Sequence, residues 1–301
     1  MIATEPLGEA ARNGHHSGAP TEVNAKDLFS LDRRSIIVTG AAGGMGLAVV
    51  KAILQSGADV IAVDRHEAAS SAHEDLKRIA TETGTLMTYH QCDISDLEST
   101  SSVFETAVSR ARYPLRGLVH CAAIGWVGPS ISFPVDEAKR IVEVNLIGTL
   151  VCAQAAAALV RKTGGKVGPS ASFVLIASMS GYVVNKGTPN AAYAASKAGV
   201  HQLTRNLASE WGCPEDGGGG PSIRVNSISP GVIRTPMTAG VLASGKGGGQ
   251  GHFERLWTEE SMLKRLSEPA DYRGPVIFLL SEASAYVTGA DLLVDGGYTA
   301  W

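Results

Sequence analysis

Residues 35–46 read SIIVTGAAGGMG, a short β-branched run that leads directly into a cluster of glycines. The run Ser35–Thr39 is typical of a strand buried on both faces, and the apolar pattern that follows predicts a helix over Met45–Ser56. Glycines at such a junction permit a tight turn, and the unpaired N–H groups at a helix N-terminus attract anions. The stretch therefore predicts a strand–turn–helix unit that can receive a phosphate group.

The alternation of β-branched and helical runs continues through the rest of the chain. It is typical of a parallel sheet whose strands are joined by crossover helices. No change of composition separates these units, so we expect one α/β domain over residues 27–301. The predicted strands are Ser35–Thr39, Asp59–Val63, Leu86–Gln91, Gly117–Cys121, Ser172–Ala177, Ile223–Ser229 and Leu292–Val294. The predicted helices are Met45–Ser56, Glu67–Thr83, Leu97–Arg112, Val135–Arg161, Asn190–Trp211 and Ala270–Ser281.

Composition excludes several classes of partner. The chain has 301 residues, 44% of them hydrophobic, and a formal net charge of -3. It contains no basic block, which argues against a nucleic acid or an anionic membrane as partner. It also contains no uninterrupted apolar run of about 18 residues, so the sequence does not predict a membrane-spanning helix. Residues 1–26 lack the apolar core of a secretory signal, and we expect them to form a disordered tail.

Cysteines and histidines give no sign of a disulfide framework or a metal centre. Scattered cysteines are typical of reduced thiols in a cytoplasmic protein. The eight histidines show none of the spacings of a metal-binding motif, so we expect no catalytic metal. The four cysteines are Cys92, Cys121, Cys152 and Cys213.

An acidic residue follows the second predicted strand. Asp64 comes 18 residues after Gly46. A carboxylate at this place can accept hydrogen bonds from the ribose hydroxyls of an adenine dinucleotide, and it repels a 2′-phosphate. Asp64 therefore favours NAD over NADP, although the adjacent Arg65 could pair with a phosphate.

Tyr193 and Lys197 are four residues apart within a predicted helix, so their side chains share one face. An ammonium about 4 Å from a phenol is worth roughly 4 kcal/mol to the phenolate at an effective dielectric of about 20. Such a contact would lower the pKa of Tyr193 by up to roughly three units, towards the range in which general acid–base catalysis works best. The spacing alone also fits an ordinary exposed pair on a solvated helix.

Taken together, these motifs resemble the short-chain dehydrogenase/reductase family, from Leu31 to the C-terminus. Thr39–Gly46 matches its TGxxxGxG cofactor loop, Cys92–Ile94 resembles its adenine-contacting motif, and Pro230–Thr235 resembles its PGxxxT motif. The segment that begins at Cys121 departs from the usual Asn-Asn-Ala-Gly, which mainly supports the sheet. The resemblance implies cofactor contacts from Gly40, Gly44, Met45, Gly46, Asp64, Arg65, Asp93, Ile94, Ala122, Ala123, Lys197, Pro230, Ile233 and Thr235.

The same resemblance implies a catalytic tetrad of Asn145, Ser178, Tyr193 and Lys197. Tyr193 would act as the general base, Ser178 would donate a hydrogen bond to the substrate oxygen, and Lys197 would lower the Tyr193 pKa and hold the cofactor ribose. Asn145 would hold a water that links Lys197 to solvent. Ser178 precedes Tyr193 by 15 residues where the family usually has 13, which implies a two-residue loop extension. Ser180 keeps the usual spacing, but Ser178 directly follows the strand and is preferred.

The family resemblance also implies an architecture and an assembly. We expect a single doubly wound Rossmann-type domain with a seven-stranded parallel sheet of order 3-2-1-4-5-6-7 and helices on both faces. A homodimer or homotetramer is expected to pack through the helices Val135–Arg161 and Asn190–Trp211 and the C-terminal strand. The segment Gly289–Trp301 could reach the site of a neighbouring subunit.

Two segments narrow the expected substrate. Residues 177–185 and 286–301 resemble fungal polyol dehydrogenases and ketose reductases of the family, which implies a polyol or ketose as substrate. Tyr182 and the Asp64-Arg65 pair depart from the NADP-using members of that group, and NAD is expected from Asp64. A stretch without a predicted strand, about 234–265, is expected to form a substrate loop. One alternative is a hydrophobic or cyclic secondary-metabolite alcohol, and another is a non-catalytic NAD-binding sensor or scaffold. Residues that could line an apolar pocket are Trp126, Met237, Leu242 and Trp257.

Overall fold

The computed structural model describes residues 24–25, 27–67, 71–163, 170–213, 221–243 and 251–301. Most of the expected disordered tail, residues 1–23 and 26, lies outside the described residues, as do residues 244–250 of the expected substrate loop. The tail and the domain bounds 27–301 therefore stay predictions.

Seven parallel strands form one sheet in the order β3-β2-β1-β4-β5-β6-β7, which confirms the predicted topology. Observed bounds differ from the predicted ones by two residues or fewer. The last residue of the predicted fourth strand, Cys121, lies just beyond β4. The strands are β1 Ser35–Thr39, β2 Asp59–Asp64, β3 Met87–Gln91, β4 Leu115–His120, β5 Ala171–Ile176, β6 Ile223–Pro230 and β7 Asp291–Val294.

Helices cover both faces of the sheet, as predicted. One face packs against α3, α5 and α6, and the other against α1, α2 and α9. Because successive strand residues point to opposite faces, Ile37 belongs to the first core cluster while Ile36 and Val38 belong to the second. The helices are α1 Gly44–Gln55, α2 Ser71–Thr83, α3 Leu97–Ser109, α4 Val135–Val142, α5 Gly148–Thr163, α6 Ala191–Trp211, α7 Pro236–Ala243, α8 His252–Glu260 and α9 Arg273–Leu280.

The register of the central strands brings three chain segments to one edge. Thr39 at the end of β1 pairs with Val63 of β2 and with His120 of β4. The residues that follow these strands therefore meet at the carboxyl edge of the sheet, where ligands bind in doubly wound folds.

The predicted helix Val135–Arg161 is interrupted. A π-helical segment, Glu143–Ile147, separates α4 from α5, so the sequence prediction of one continuous α-helix was wrong here. A π segment inserts one residue into a turn and is frequent at functional sites. Gly148 follows it directly, and a Cβ there would lie only 3.0 Å from Ile94 Cδ1, so glycine permits this close approach.

Among the described residues, the helical segment Val135–Thr163 is the one long and apolar enough, by composition, to cross a membrane. The sequence search for uninterrupted apolar runs missed it, because polar residues break the run while the mean hydropathy of its best window is 1.6. Half of this window is buried inside the fold, and α5 packs against α3 and β4. Its apolar character is accounted for by this packing.

The region expected to be an irregular substrate loop contains two helices. The described part of 234–265 includes α7 and α8, which pack against each other. Ile233 and Ser267, which flank the region, form an isolated parallel bridge. This pairing holds both ends of the region against the sheet edge.

The predicted C-terminal helix Ala270–Ser281 has an irregular start. Residues Pro269–Tyr272 form a 3₁₀ turn, and the α-helix begins at Arg273. Glu268 and Asp271 form a reciprocal capping box at this turn, which satisfies its first backbone donors.

Candidate active site

A cavity of about 760 Å³ opens at the carboxyl edge of the sheet. Its size falls in the ordinary range of small-molecule and cofactor sites. It extends from the β1–α1 turn, past the ends of β4 and β5, to α7 and α8. Every residue predicted to contact a cofactor lines this cavity, although the role of each stays a prediction.

The β1–α1 turn has the geometry that a dinucleotide phosphate group requires. Gly40 has φ +65°, and a Cβ there would lie 2.7 Å from Ala122 N. A Cβ at Gly46 would overlap the carbonyl oxygen of Gly40, so α1 can start this close to β1 only with glycine. No side chain caps α1 at Gly43. The first N–H groups of the helix are therefore left for an anion, and this end of the cavity fits a pyrophosphate.

Asp64 lies at the edge of the same cavity with its carboxylate fixed by the backbone. Its Oδ2 accepts a hydrogen bond from Ala42 N at 2.9 Å, and its Oδ1 accepts one from His66 N at 3.1 Å. Each oxygen retains a lone pair that can accept a hydroxyl hydrogen. Arg65 also lines the cavity, and its Nε donates to the His66 ring at 3.2 Å.

Asp93 and Ile94 line the next part of the cavity, at the end of β3. The backbone N–H and the hydroxyl of Ser95 donate to Asp93 and lower the pKa of its carboxyl group. This carboxylate is thus ionised and held in place, while Ile94 is buried and offers an apolar surface.

The segment after β4 supports the sheet edge despite its departure from the family motif. Cys121 N donates to Thr39 O at 3.2 Å, and Ala122 N donates to Thr39 Oγ1 at 3.4 Å. Burial raises the pKa of the Cys121 thiol to about 12. The thiol is therefore neutral, and the backbone makes the structural contacts at this position.

Ser178, Tyr193 and Lys197 converge on the cavity, as the tetrad prediction requires. Ser178 follows β5, and its Oγ accepts a hydrogen bond from Ser180 N at 3.1 Å. Tyr193 and Lys197 lie on the first turns of α6. All three side chains line the cavity next to the β4–α4 connection.

The electrostatics of Tyr193 differ from the sequence expectation. Burial raises the pKa of the Tyr193 phenol, and a hydrogen bond with Ser178 offsets part of this effect. Lys197 Nζ donates instead to Ile176 O at 2.7 Å and lies 5.9 Å from the centroid of the Tyr193 ring. The expected lowering by Lys197 is wrong for this structure, because the ammonium points at a carbonyl and burial penalises the phenolate.

Burial also acts on Lys197. Its pKa is lowered to about 8 because its ammonium is taken out of water. Near neutral pH this side chain thus lies close to the point at which it releases a proton.

Asn145 is fully buried in the π-helical segment and does not line the cavity. Its Nδ2 donates to Ile124 O at 2.9 Å and to Ser196 Oγ at 3.1 Å, and its Oδ1 accepts from Ile124 N at 2.8 Å. These bonds tie the segment after β4 to α6. The proposed role in holding water stays a prediction.

The two candidate serines have different surroundings. Ser180 is buried, and its Oγ donates to Asn185 Oδ1 at 2.9 Å. Ser178 shares a hydrogen bond with Tyr193, which supports the choice of Ser178. Sequence reasoning missed the polar residues of the loop that lies between Ser178 and Tyr193, and the 15-residue spacing was the available signal. Those that line the cavity are Asn185, Thr188 and Asn190.

Three of the four expected apolar lining residues face the cavity, namely Trp126, Met237 and Trp257. The expectation for Leu242 was wrong. Leu242 is buried against Trp257 and Leu266 in a small core between α7 and α8. Both helices need an apolar centre of their own, and Leu242 supplies part of it.

Within the described ranges, no three His, Cys, Asp or Glu side chains come together as a metal-binding group. The polar atoms around Ser178 belong instead to hydroxyl, amide, phenol and amine side chains.

The parallel sheet, the glycine turn and the Ser–Tyr–Lys group at one edge define a Rossmann-type oxidoreductase. Residues 40–299 match the family model described as Enoyl-(Acyl carrier protein) reductase. With this match and relatives that are 30% to 41% identical, the chain belongs to the short-chain dehydrogenase/reductase family. It is therefore an oxidoreductase that acts on small alcohols or ketones with NAD(P).

Named relatives cover nearly the entire chain. A short-chain dehydrogenase/reductase of Aspergillus versicolor, notP′, is 41% identical over 291 residues, 96% of this chain and 95% of that protein. An NADH-dependent L-xylulose reductase of Ambrosiozyma monospora is 39% identical over 281 residues, 91% of this chain and 97% of that protein. The crystal structure of an NADPH-dependent 3-quinuclidinone reductase of Rhodotorula rubra has a TM-score of 0.80 at 29% identity, covering 96% of this chain and 100% of that one.

Proposed function

We propose that the protein transfers hydride between NAD and the secondary alcohol carbon of a polyol, or in reverse to a ketose. The observation that carries this proposal is the convergence of Ser178, Tyr193 and Lys197 at the end of a cavity that also holds a glycine turn and Asp64. The nicotinamide cofactor, when bound, accepts the hydride in oxidation or supplies it in reduction.

The side chains of this protein handle the substrate oxygen and its proton. In reduction the Tyr193 phenol gives its proton to the substrate oxygen. In oxidation Tyr193 takes the hydroxyl proton as phenolate, a form that burial disfavours and that the positive charge of the oxidised nicotinamide, when bound, would favour. Ser178 Oγ accepts from Ser180 N at 3.1 Å, and its hydroxyl hydrogen, which bonds the Tyr193 oxygen in this structure, can turn to the substrate oxygen next to it. Loss of one such donor to a developing negative charge typically costs about 3–4 kcal/mol.

Lys197 and Asn145 support this centre. Lys197 reaches Ile176 O beneath the cavity floor, from where its amine can donate to a cofactor ribose hydroxyl. Asn145 fixes α6 against the segment after β4 through its bonds to Ser196 and Ile124. Ser196 lies on α6 between Tyr193 and Lys197, so the buried side chain of Asn145 helps to hold the part of α6 that carries both residues.

NAD is the proposed cofactor because of Asp64. Its carboxylate is buried at the cavity edge and held by two backbone N–H groups, so it cannot swing aside for a 2′-phosphate. The named relatives include an NADH-dependent and an NADPH-dependent enzyme, so the family by itself favours neither cofactor.

A polyol or ketose is the proposed substrate, supported by the polar loop that follows Ser178 and by the L-xylulose reductase relative. The alternative, a hydrophobic or cyclic alcohol, is supported by the apolar side chains of Trp126, Met237 and Trp257 on another part of the lining. A cytoplasmic location and a homo-oligomeric assembly remain part of the proposal.

The test is a steady-state assay of the purified protein with NADH and with NADPH. Ketoses, polyols, and cyclic or aromatic alcohols and ketones serve as substrates. We expect turnover of ketoses with a higher kcat/KM for NADH than for NADPH. Tyr193→Phe should lower kcat by about 10³-fold or more, because the proton donor is lost, while the Kd for NADH stays within about twofold.

Tyr182→Phe is the matched control, since Tyr182 lies in the same loop, is half exposed and does not line the cavity. It should keep the activity of the parent enzyme. Unchanged turnover in Tyr193→Phe would contradict the role of Tyr193. A protein that binds NADH but turns over no substrate with either nucleotide would instead be a sensor or scaffold.

A further inference from the structure

A buried histidine at the end of β4 takes no part in the proposed reaction. His120 is 1% exposed, and its Nδ1 lies 2.9 Å from Thr39 Oγ1. Its other ring nitrogen, Nε2, is sealed from solvent and has no hydrogen-bond partner among the residues that the structure describes. A buried polar nitrogen without a partner is costly, so its presence in a native fold points to a role.

The contacts of Thr39 assign the tautomer of this imidazole. Thr39 Oγ1 accepts a hydrogen bond from Ala122 N at 3.4 Å, and its hydroxyl hydrogen is left to donate to His120 Nδ1. Burial lowers the pKa of His120 to about 3, so the ring is neutral. Because a neutral imidazole that accepts at Nδ1 carries its hydrogen at Nε2, that nitrogen is an N–H donor that still needs an acceptor.

The strand register places this donor on the side of Lys197. His120 pairs with Thr39 of β1 on one side and with Leu175 of β5 on the other. The two nitrogens of an imidazole point apart across the ring, so Nε2 is turned towards β5 when Nδ1 is bonded to β1. Lys197 reaches the same place from α6, because its Nζ donates at 2.7 Å to the carbonyl of Ile176, the residue after Leu175.

An N–H group beside a lysine acts differently on the two forms of its amine. The hydrogen on Nε2 carries a partial positive charge, which repels an ammonium, whereas the lone pair of a neutral amine can accept it. The positive charge of Lys197 contributes in turn to the low pKa of His120, which agrees with their proximity. Burial and this donor therefore act on Lys197 in the same direction.

Within the described residues, no carboxylate acts on the charge of Lys197. The titratable side chains in electrostatic contact with it are Tyr193 and His201 on α6 and His120 and Cys121 at the end of β4. Burial keeps the Cys121 thiol neutral, with a pKa of about 12. From β5 a backbone carbonyl meets the amine, and the π-helical segment adjoins this part of α6 through a neutral amide.

We propose that His120 is a positioning residue, whose Nε2–H is turned to Lys197 and shifts its side chain from the ammonium towards the neutral amine. The neutral amine keeps two hydrogens, one for Ile176 O and one for a ribose hydroxyl of the cofactor. It also avoids repulsion by the positive ring of an oxidised nicotinamide when that cofactor is bound. The catalytic meaning of this contact rests on the proposed function, whereas the contact itself can be tested without turnover.

Nuclear magnetic resonance of the cofactor-free protein, with ¹⁵N in histidine and ¹³C at lysine Cε, tests the contact. The signals of His120 and Lys197 are those missing in His120→Asn and Lys197→Met. We expect the ¹⁵N shift of a protonated nitrogen at Nε2, and a pH dependence of that shift with the same midpoint as the Lys197 Cε signal. In Lys197→Met the His120 signal should lose this dependence. An unprotonated Nε2, or a His120 signal that does not follow Lys197, would overturn the proposal.

His120→Asn keeps an acceptor for Thr39 but loses the donor, so it should raise the pKa of Lys197 by about one unit, the net worth of one hydrogen bond. Val200→Ala is the control for loosened packing, because Val200 is fully buried on α6 three residues after Lys197. It should leave that pKa unchanged, and an equal rise in both variants would contradict the role of the donor. Should His120→Asn fail to fold, the tautomer and the shared midpoint in the parent protein decide, with His120 recognised as the histidine that stays neutral to the lowest pH.

The pH profile of kcat/KM for alcohol oxidation tests the catalytic meaning. In His120→Asn this profile should move to higher pH by about the same amount as the pKa of Lys197. A raised pKa with an unmoved profile would contradict the positioning role. A protein that shows the shared midpoint but oxidises no alcohol would confirm the contact and contradict the proposed function instead.

Discussion

At the scale of single residues, burial in the fold sets the pKa values of the site side chains. Burial raises the pKa of Tyr193 and lowers that of Lys197 to about 8. Burial thus disfavours the charged form of both groups, but with a pKa of about 8 Lys197 is still mostly protonated at neutral pH, whereas Tyr193 is a neutral phenol. His120, next to Cys121, follows the same rule, because burial lowers its pKa to about 3.

Lys197 should leave a pH signature in stability. Its folded-state pKa of about 8 lies below the ordinary lysine value of 10.5, so between these values the unfolded chain binds more protons than the folded one. The free energy of unfolding should therefore rise with pH in this window, by up to about 3 kcal/mol. Urea unfolding of the parent and of Lys197→Met at pH values of about 7.5, 8.5 and 9.5 measures it, and the excess stability of the variant should shrink as pH rises.

Lys139→Met serves as the comparison, because Lys139 is exposed on α4 and its Nζ donates to Asp136 Oδ1 at 3.2 Å. Its stability should follow that of the parent at every pH. If Lys197→Met and the parent gave parallel curves, the lowered pKa of Lys197 would be wrong.

Strands and helices follow local sequence wherever the local signal and the packing agree. The β1–α1 unit is the clearest case, since its glycines serve both the turn and the contact of α1 with β1. The π-helical segment Glu143–Ile147 is the opposite case. Its sequence has an ordinary helical pattern, and the buried bonds of Asn145 to Ile124 and Ser196 accompany the extra residue.

Two glycine-to-alanine changes test whether a glycine is needed for close packing or only lowers the stability of its helix. Gly46→Ala should destabilise the protein by more than about 2 kcal/mol, since its Cβ would overlap Gly40 O. Gly274→Ala, at the exposed start of α9, should stabilise it by about 0.5–1 kcal/mol, because no atom lies within 4 Å of the place that its Cβ would take. Differential scanning calorimetry of the two variants should show shifts of Tm in opposite directions. A stable Gly46→Ala protein would contradict the close approach of α1 to β1.

In the whole molecule, the carboxyl edge of the sheet forms one side of the cavity, and a separate group of elements covers its other side. This cover consists of α7, α8 and the C-terminal residues, and it contacts the loop between Ser178 and Tyr193 at Lys186. Trp301 Nε1 donates to Glu260 O, and Ser261 Oγ donates to Gly296 O at 3.1 Å. The C-terminal segment thus contacts the end of α8 in its own chain, and its expected reach to the site of a neighbouring subunit stays a prediction.

The expected assembly can be tested at an exposed apolar residue within Val135–Arg161, one of the two helices expected at the interface. Ile147, at the end of the π-helical segment, is 49% exposed. In the expected homodimer or homotetramer, Ile147→Glu should bury a charge and weaken association by about tenfold or more. Sedimentation velocity measures the result, with Ile131→Glu as control, because Ile131 is 100% exposed and lies outside these helices. A monomeric parent protein would contradict the expected assembly.

The sequence by itself determined the class of fold, the strand order expected of the family, and the positions that surround the cavity. These features depend on patterns that are local along the chain, such as the β-branched runs, the glycines from Gly40 to Gly46 and the spacing of Tyr193 from Lys197. Such patterns can be recognised in the sequence because each residue's neighbours along the chain are also its neighbours in the strand or helix.

Only the tertiary structure decided how the polar groups are paired. It directed Lys197 to Ile176 O rather than to the Tyr193 phenol, it sealed Asn145 beneath the cavity, and it left the Asn185 amide facing into it. The physical reason is that burial and hydrogen-bond partners are set by segments far apart in the chain. A pKa or an unused donor therefore belongs to the packed fold, and no single stretch of sequence contains it.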